Sequence, residues 1–345
     1  MANIITTLLR ATAVAAVIGV GAMGKHHARV YSELENVELV GVADPDPSVR
    51  DLVAARCHTR GYVDYRKLVE VEKPEVVSLV VPTCYHYAIA RDLVERGVHV
   101  LVEKPITDTI EEGRALVRQA EARGVKLGVG HIERFNPAVI ALKERLDRGE
   151  LGAPFQVSVR RIGGFPPRVR DVGVVLDLAT HDLDVMRYLI GGRVVRVSAE
   201  IARESNDSRA DILCGLLRFD NGVIGLLDVN WVSPTKIRSL TVNGQCGMFV
   251  VNYLTQDLEF YENANADSTW ESLQVFRGVA EGRMIRYPIS RREPLSLELQ
   301  AFARSVSHDE PFPVGGGDGL QALMLAMCLV QAGQENRSII PAEVM

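Results

Sequence analysis

The stretch Thr12-Ala13-Val14-Ala15-Ala16-Val17-Ile18-Gly19-Val20-Gly21-Ala22-Met23-Gly24 decides the fold. Thr12 to Ile18 is a short apolar run that reads as a strand, and a helical pattern through Arg29 and Leu34 follows Gly24. Between them the glycines supply a tight turn at Gly19, close approach of an anion to the backbone at Gly21, Ala22 and Met23, and tight helix–sheet packing at Gly24. The helix N-terminus then faces the anion. Such a turn can also be purely architectural, and Asp44 is what gives it a ligand. It ends the second strand, VELVGVAD, 20 residues after Gly24, where a carboxylate accepts hydrogen bonds from an adenosine ribose. Asp44-Pro45-Asp46-Pro47 offers no cation to a 2′-phosphate, and Arg50 is the one nearby exception. The pattern favours NAD over NADP.

Outward from this turn, short β-branched runs alternate with helical patterns as far as about Val129: VELVGVADP, VVSLVVP, HVLVEKP and KLGVG. That alternation implies right-handed βαβ units and a doubly wound parallel sheet. After Gly149 to Pro154 the strands lengthen into FQVSVRRI, VVRVSAEIA, ADILCGLLRF, VIGLLDVNWV, RSLTVNG and GMFVVNYL. Asp220-Asn221-Gly222 between two of them is a hairpin signal, so this second sheet is expected to be large, open and mainly antiparallel. Residues 296–309 and 318–333 read as helices. The run Gly315-Gly316-Gly317-Asp318-Gly319 lacks the Lys-Ser/Thr ending of a phosphate loop, and Asp318 reads as an N-cap. The expected organisation is an α/β chain: an extension over 1–11, a Rossmann domain over 12–135, and an α+β substrate and oligomerisation domain over 136–345. The last helices are free to pack back on the first domain.

Composition excludes other classes. The 345 residues, 47% hydrophobic and 24% charged, have material for about two cores. With 39 Lys plus Arg against 44 Asp plus Glu and no long single-sign block, nucleic acid is not expected as a partner. The five cysteines, Cys57, Cys84, Cys214, Cys246 and Cys328, form no C-x-x-C pair, which argues against a zinc site or a disulfide framework and for a reducing cytoplasm. The histidines outside the catalytic candidates show no metal-ligand spacing, so no metal is expected. Ile4 to Val20 is apolar enough to resemble a signal peptide or membrane anchor, but Arg10 interrupts it and its second half is needed as a strand, so a soluble chain is expected, with the periplasm as the alternative compartment.

Glu103-Lys104-Pro105 ends a strand of the first domain, where ligands of open α/β sheets sit, so Glu103 and Lys104 are candidates for the nicotinamide end. Pro82, Thr83 and His86 follow another strand and are read as lining the same cleft. Asp177 and His181 are spaced i, i+4 in LDLATHDLDVMRYL, so the carboxylate can orient the imidazole and raise its basicity. The alternative is an ordinary Asp/His pair at a helix start. Trp231 reads as core.

The glycine turn, Asp44, Glu103-Lys104-Pro105 and Asp177-x-x-x-His181, in this order, resemble the Gfo/Idh/MocA oxidoreductases, the glucose-fructose oxidoreductase and inositol dehydrogenase group. The resemblance covers about residues 14–335. It implies a Rossmann domain and a second domain whose open sheet takes substrate on one side and often a partner subunit on the other, with Lys104, Asp177 and His181 at the family's catalytic positions. A narrower resemblance, carried by Gly130-His131-Ile132-Glu133-Arg134-Phe135-Asn136-Pro137 and Asn230-Trp231-Val232-Ser233-Pro234-Thr235-Lys236-Ile237-Arg238, is to members that oxidise C3 of UDP-N-acetylglucosamine and related UDP-sugars. Arg134, Lys236 and Arg238 would supply cations for a diphosphate, and Asn136 a hydrogen bond to sugar or uracil. The alternatives are that Arg134 pairs with Glu133 or Asp147 and that Lys236 and Arg238 belong to a solvated strand face.

The expectation is therefore an NAD-dependent dehydrogenase of a nucleotide sugar, a UDP-hexosamine. His181 would be the base and Lys104 the group that hydrogen-bonds the reacting oxygen, with the exchanged roles left open. A free sugar or cyclitol is the alternative substrate, and a non-catalytic NAD or sugar sensor is the rival from another class. A homodimer or homotetramer through the open sheet is expected.

Overall fold

The computed structural model of the chain describes residues 12–165, 173–204, 210–264 and 280–341, and the expected extension over 1–11 lies outside them. The chain divides into two compact units. The first runs to Phe135 and resumes over Glu293–Met324, and the second takes Asn136–Arg292 and Leu325–Met345.

In the first unit the elements follow as β1 (Ala13–Ile18), α1 (Gly24–Glu33), β2 (Val37–Ala43), α2 (Pro47–Arg56), β3 (Arg60–Tyr62), α3 (Tyr65–Glu72), β4 (Val76–Leu79), α4 (His86–Glu95), β5 (His99–Val102), α5 (Ile110–Arg123) and β6 (Leu127–Val129). The strands form one parallel sheet in the order β3-β2-β1-β4-β5-β6. Every residue of β4 and nearly every one of β1 is buried, because helices cover both faces of a parallel sheet. The strand order reverses between β1 and β4, which opens a crevice beyond their carboxyl ends. Local chemistry sets the helix starts: Asp46, Asp64 and Thr109 each accept a backbone N–H of the first turn of α2, α3 and α5.

The second unit begins with α6 (Pro137–Asp147) and β7 (Pro154–Ile162). A π-helical turn over Val175–Ala179 then leads into α7 (Thr180–Ile190). The remaining strands are β8 (Val194–Ala202), β9 (Ile212–Phe219), β10 (Ile224–Asn230), β11 (Ile237–Gly244), β12 (Gly247–Asn252), β13 (Asp257–Ala264) and β14 (Ala280–Tyr287). They form an eight-stranded sheet in the order β14-β13-β12-β11-β7-β10-β9-β8, antiparallel apart from the parallel β7/β10 pair. Burial alternates strictly along β9, so one face of the sheet is packed and the other is open. The expected hairpin joins β9 to β10, with Gly222 at φ +88°. Three strands were not read from sequence: β3, β13 and β14.

The chain then returns to the first unit in α8 (Pro294–Ser307) and the start of α9 (Gly316–Glu335). Leu295, Leu299, Phe302 and Ala303 of α8 share one core with Ala13, Ala15 and Val17 of β1 and Ala28 and Tyr31 of α1. Burying a large apolar side chain is worth roughly 1.5–3 kcal/mol, so α8 is a substantial part of that unit. The glycine run has a packing role, since a Cβ on Gly316 would come within 2.7 Å of Leu127 and one on Gly319 within 2.5 Å of Val129. Asp318 departs from its expected role. It lies inside α9, and its Oδ2 accepts the Gly315 N–H at 3.2 Å, closing the helix start from within.

Candidate active site

Each glycine of the turn has a distinct physical reason. Gly19 sits at φ +82°, and a Cβ there would lie 2.4 Å from the Val80 carbonyl oxygen. A Cβ on Gly24 would lie 1.8 Å from the Gly19 carbonyl oxygen. Around Gly21 nothing beyond its own chain neighbours comes within 4 Å of that position, so the space above it is open. Gly21 and Ala22 are exposed, Met23 is half-exposed, and α1 starts without a side-chain cap or an acidic residue in its first turn. Its uncapped N–H groups suit an anion. Asp44 is held at the edge of this cradle: Oδ2 accepts the Val20 N–H at 2.9 Å and Oδ1 the Asp46 N–H at 3.0 Å. Arg50 pairs with Asp51 at 2.8 Å and donates to the Asp44 carbonyl at 3.3 Å. An uncapped helix start, open room at Gly21 and a fixed carboxylate fit a dinucleotide.

The next strand ends carry the other candidates of this unit. Beyond β4, Pro82 is exposed and Thr83 buried, and beyond β5 Lys104 is half-buried. His86 differs from its expected place on the cofactor cleft. At 1% exposure it is turned inward, with Nδ1 2.8 Å from the Pro105 carbonyl oxygen and Nε2 2.9 Å from that of Val81. Burial holds its pKa below the ordinary 6.5 although both carbonyls favour the protonated form. Glu103 turns inward as well. Its Oε1 is 3.1 Å from His27 Nε2, its Oε2 accepts the Lys104 N–H at 3.1 Å, and a Cβ on Gly130 would press against it at 3.0 Å. Burial pushes the Glu103 carboxyl up, but the hydrogen bond from His27 and the charge and backbone N–H of Lys104 hold it below the usual glutamate value. His27 was not singled out from sequence. Its spacing with Gly24, Ala28 and Tyr31 on the buried stripe of α1 is the signal that marks it.

Arg134 and Asn136 have structural work that was not expected of them. Arg134 is buried, with Nη2 3.0 Å from Asp318 and Nη1 donating to the Pro313 carbonyl at 3.0 Å. Asn136 caps α6 by accepting the Ala138 N–H, and its amide donates to the Tyr253 carbonyl at 3.1 Å.

In the second unit Asp177 is buried within the π turn, and His181, in the first turn of α7, is half-buried. The pair is thus not set on a regular α-helix, and single π turns occur often at functional sites. Thr180 Oγ1 donates to the Leu176 carbonyl at 3.0 Å. One residue after His181, Asp182 meets Arg161 of β7, and the guanidinium also lies 5.3 Å from the centre of the Tyr253 ring. Arg161 was also missed, although strand alternation with Val157 and Val159 puts it on the packed face. Arg238 opposes Arg161 in the β7/β11 register and is half-buried. Lys236 is exposed and immediately precedes β11, two residues before Arg238. Trp231 is core, with Nε1 donating to Asp211 at 2.6 Å.

Comparison with known proteins places these features in context. The family described as "Oxidoreductase family, NAD-binding Rossmann fold" matches residues 14–131, and the "GFO/IDH/MocA C-terminal domain" matches residues 139–250. The UDP-N-acetylglucosamine 3-dehydrogenase of Acidithiobacillus ferrooxidans is 30% identical over 90% of this chain and 94% of its own. Its crystal structure aligns with a TM-score of 0.81 over 93% of this chain and 98% of that one, at 29% identity. The NAD-dependent scyllo-inositol 2-dehydrogenase of Bacillus subtilis is 29% identical over 68% of this chain and 72% of its own. Among the described residues no helix is long and apolar enough to cross a membrane.

Proposed function

Because this chain belongs to the Gfo/Idh/MocA family of NAD-dependent oxidoreductases, we propose that it oxidises the C3 hydroxyl of UDP-N-acetylglucosamine to the ketone. The observation that carries the substrate is the cationic start of β11. Arg238 stands in register with Arg161, whose charge Asp182 balances, and Lys236 is exposed two residues earlier. A second arginine and a lysine suit a diphosphate, whereas a free sugar or cyclitol brings no charge to balance them. A relative that acts on such a nucleotide sugar, aligned over 90% of this chain, supports the same reading.

In this reading the bound NAD supplies the acceptor for the hydride of the carbinol carbon. His181 takes the hydroxyl proton, and Asp177 orients its ring. Lys104 donates a hydrogen bond to the oxygen as its negative charge grows. Lys236 and Arg238 hold the diphosphate, so that binding energy remote from the reacting carbon fixes the sugar in place. Arg134 and Asn136 enter as residues that fix the chain locally, through Asp318 and the Tyr253 carbonyl. The same reading has the chain working in the cytoplasm, which its five unpaired cysteines suit. It assembles as a homodimer or homotetramer through the open face of the second sheet. Exposed Leu216, Ile224 and Leu226 and a depression of about 880 Å³ lined by Arg160, Cys214 and Asp228 support that assembly.

The test is reduction of NAD with UDP-N-acetylglucosamine, N-acetylglucosamine, glucose and inositol in parallel, with the ketone trapped by an amine donor and an aminotransferase. Turnover with the nucleotide sugar and far less with the free sugar is expected. Turnover with inositol or glucose and none with any UDP-hexose overturns the substrate.

A further inference from the structure

The turn that carries Lys104 is gripped from both sides by histidines of two different helices. On one side His27 of α1, fully buried, meets Glu103 Oε1 at 3.1 Å, and the other oxygen of that carboxylate takes the Lys104 N–H. A carboxylate only accepts, so the hydrogen of this contact sits on His27 Nε2. His27 Nδ1 is buried with no hydrogen-bond partner among the described residues, which suits the tautomer that carries no hydrogen there. On the other side His86 of α4 reaches the Pro105 carbonyl with Nδ1 and the Val81 carbonyl with Nε2. Carbonyls also only accept, so a ring with one hydrogen satisfies one of the two. The shorter contact, at 2.8 Å, is the one to Pro105.

We infer that His27 and His86 are positioning residues for Lys104, His27 acting through Glu103 and His86 through an Nδ1–H donated to the Pro105 carbonyl. Neither ring reaches the reacting atoms. Each fixes one flank of a single residue whose Nζ must meet an oxygen to within a fraction of an ångström, and misplacement by about 1 Å can cost a hundredfold in rate. This inference rests on the reading that Lys104 hydrogen-bonds the reacting oxygen.

Each link uses a different ring nitrogen, and this supplies the test. A glutamine amide nitrogen replaces Nε2 and an asparagine amide nitrogen replaces Nδ1. His27→Gln and His86→Asn should therefore keep the link, and His27→Asn and His86→Gln should lose it. Turnover at saturating NAD and substrate should fall about tenfold or more in the second pair and stay within about threefold of wild type in the first, with KM for NAD nearly constant in all four. Crystal structures should show the Lys104 turn in place in the first pair and displaced or disordered in the second. A merely structural role would lower the thermal midpoint of all four alike and would not follow this crossed pattern. Equal turnover in all four, or the opposite pairing, overturns the inference. If the wild-type chain oxidises no sugar or cyclitol at all, the proposed function fails, while the position of the Lys104 turn in the four crystal structures still decides the clamp.

Discussion

Arg161 Nε lies 2.7 Å from Asp182 Oδ2, with the two side chains 1% and 0% exposed. Removing one member of a buried pair takes a close counter-charge from the other in a medium that solvates it poorly, at a cost of about 3–5 kcal/mol. Asp182→Ala should therefore lower the unfolding free energy in urea by that amount. Arg161→Met combined with Asp182→Leu should recover most of it, because neither charge is left behind. A single variant as stable as wild type would contradict the burial of the pair.

Cofactor choice turns on Asp44. A carboxylate at the ribose repels a 2′-phosphate, so the chain should bind NAD more tightly than NADP, and Asp44→Ser should narrow the gap. Because Asp44 also accepts the Val20 N–H, the serine variant should lose some NAD affinity as well. Calorimetry reads both, and equal affinities in the unmodified protein would remove Asp44 from this role.

Lys104→Met and His181→Asn should each reduce turnover about a hundredfold or more, in line with the ~10²–10⁴ that acid–base groups contribute, and leave NAD affinity nearly unchanged. The binding elements for NAD lie elsewhere, in the glycine turn and Asp44. If both variants turn over at the wild-type rate, the assignment of these residues is wrong.

Stability should depend on pH through the buried histidines. Burial holds His86 below 6.5, and burial together with Lys126 does the same for His99. A base with a depressed folded pKa leaves the unfolded chain binding more protons between that folded value and 6.5, so stability rises with pH across the window. It is complete above about 6.5 and is lost as pH falls toward the folded values. Glu103, held below its ordinary 4.5, acts in a lower window: its contribution persists until pH falls through its own folded value. The thermal midpoint should be higher at about pH 7.5 than at about pH 5.5, and His86→Asn should shrink the difference. A midpoint that rises on acidification would reverse the assignment.

Assembly is checked on the open sheet face. Leu216 and Leu226 are direct partners in the β9/β10 register and both are exposed. Leu216→Glu with Leu226→Lys should shift a dimer or tetramer to monomer in analytical ultracentrifugation without changing the far-UV circular dichroism. A wild-type chain that sediments as a monomer at micromolar concentration would end the proposal.

What was legible in the sequence was local. The glycine turn and Asp44 follow from residue spacing, and the β9–β10 hairpin from its turn residues. The rest depends on contacts between distant parts of the chain. Periodicity shows that α8 has an apolar face but not that β1 and α1 receive it. An α-helical and a π-helical reading of LDLATHDL use the same letters, so the turn around Asp177 could not be seen. His86 follows a strand end as a cleft residue would, yet its ring is spent on two carbonyls. DLEFYENA, which forms β13, carries the polar/apolar alternation of a half-buried strand over Asp257 to Phe260, a signal that the sequence does offer.

The core that α8 shares with β1 also has a consequence for synthesis. As the nascent chain leaves the ribosome, the Rossmann strands emerge first but lack the layer formed by Leu295, Leu299, Phe302 and Ala303. That layer arrives only after the entire second sheet has been translated. The first unit's packing is therefore completed only once α8 has emerged, and its maturation is slowed by contacts of high sequence separation.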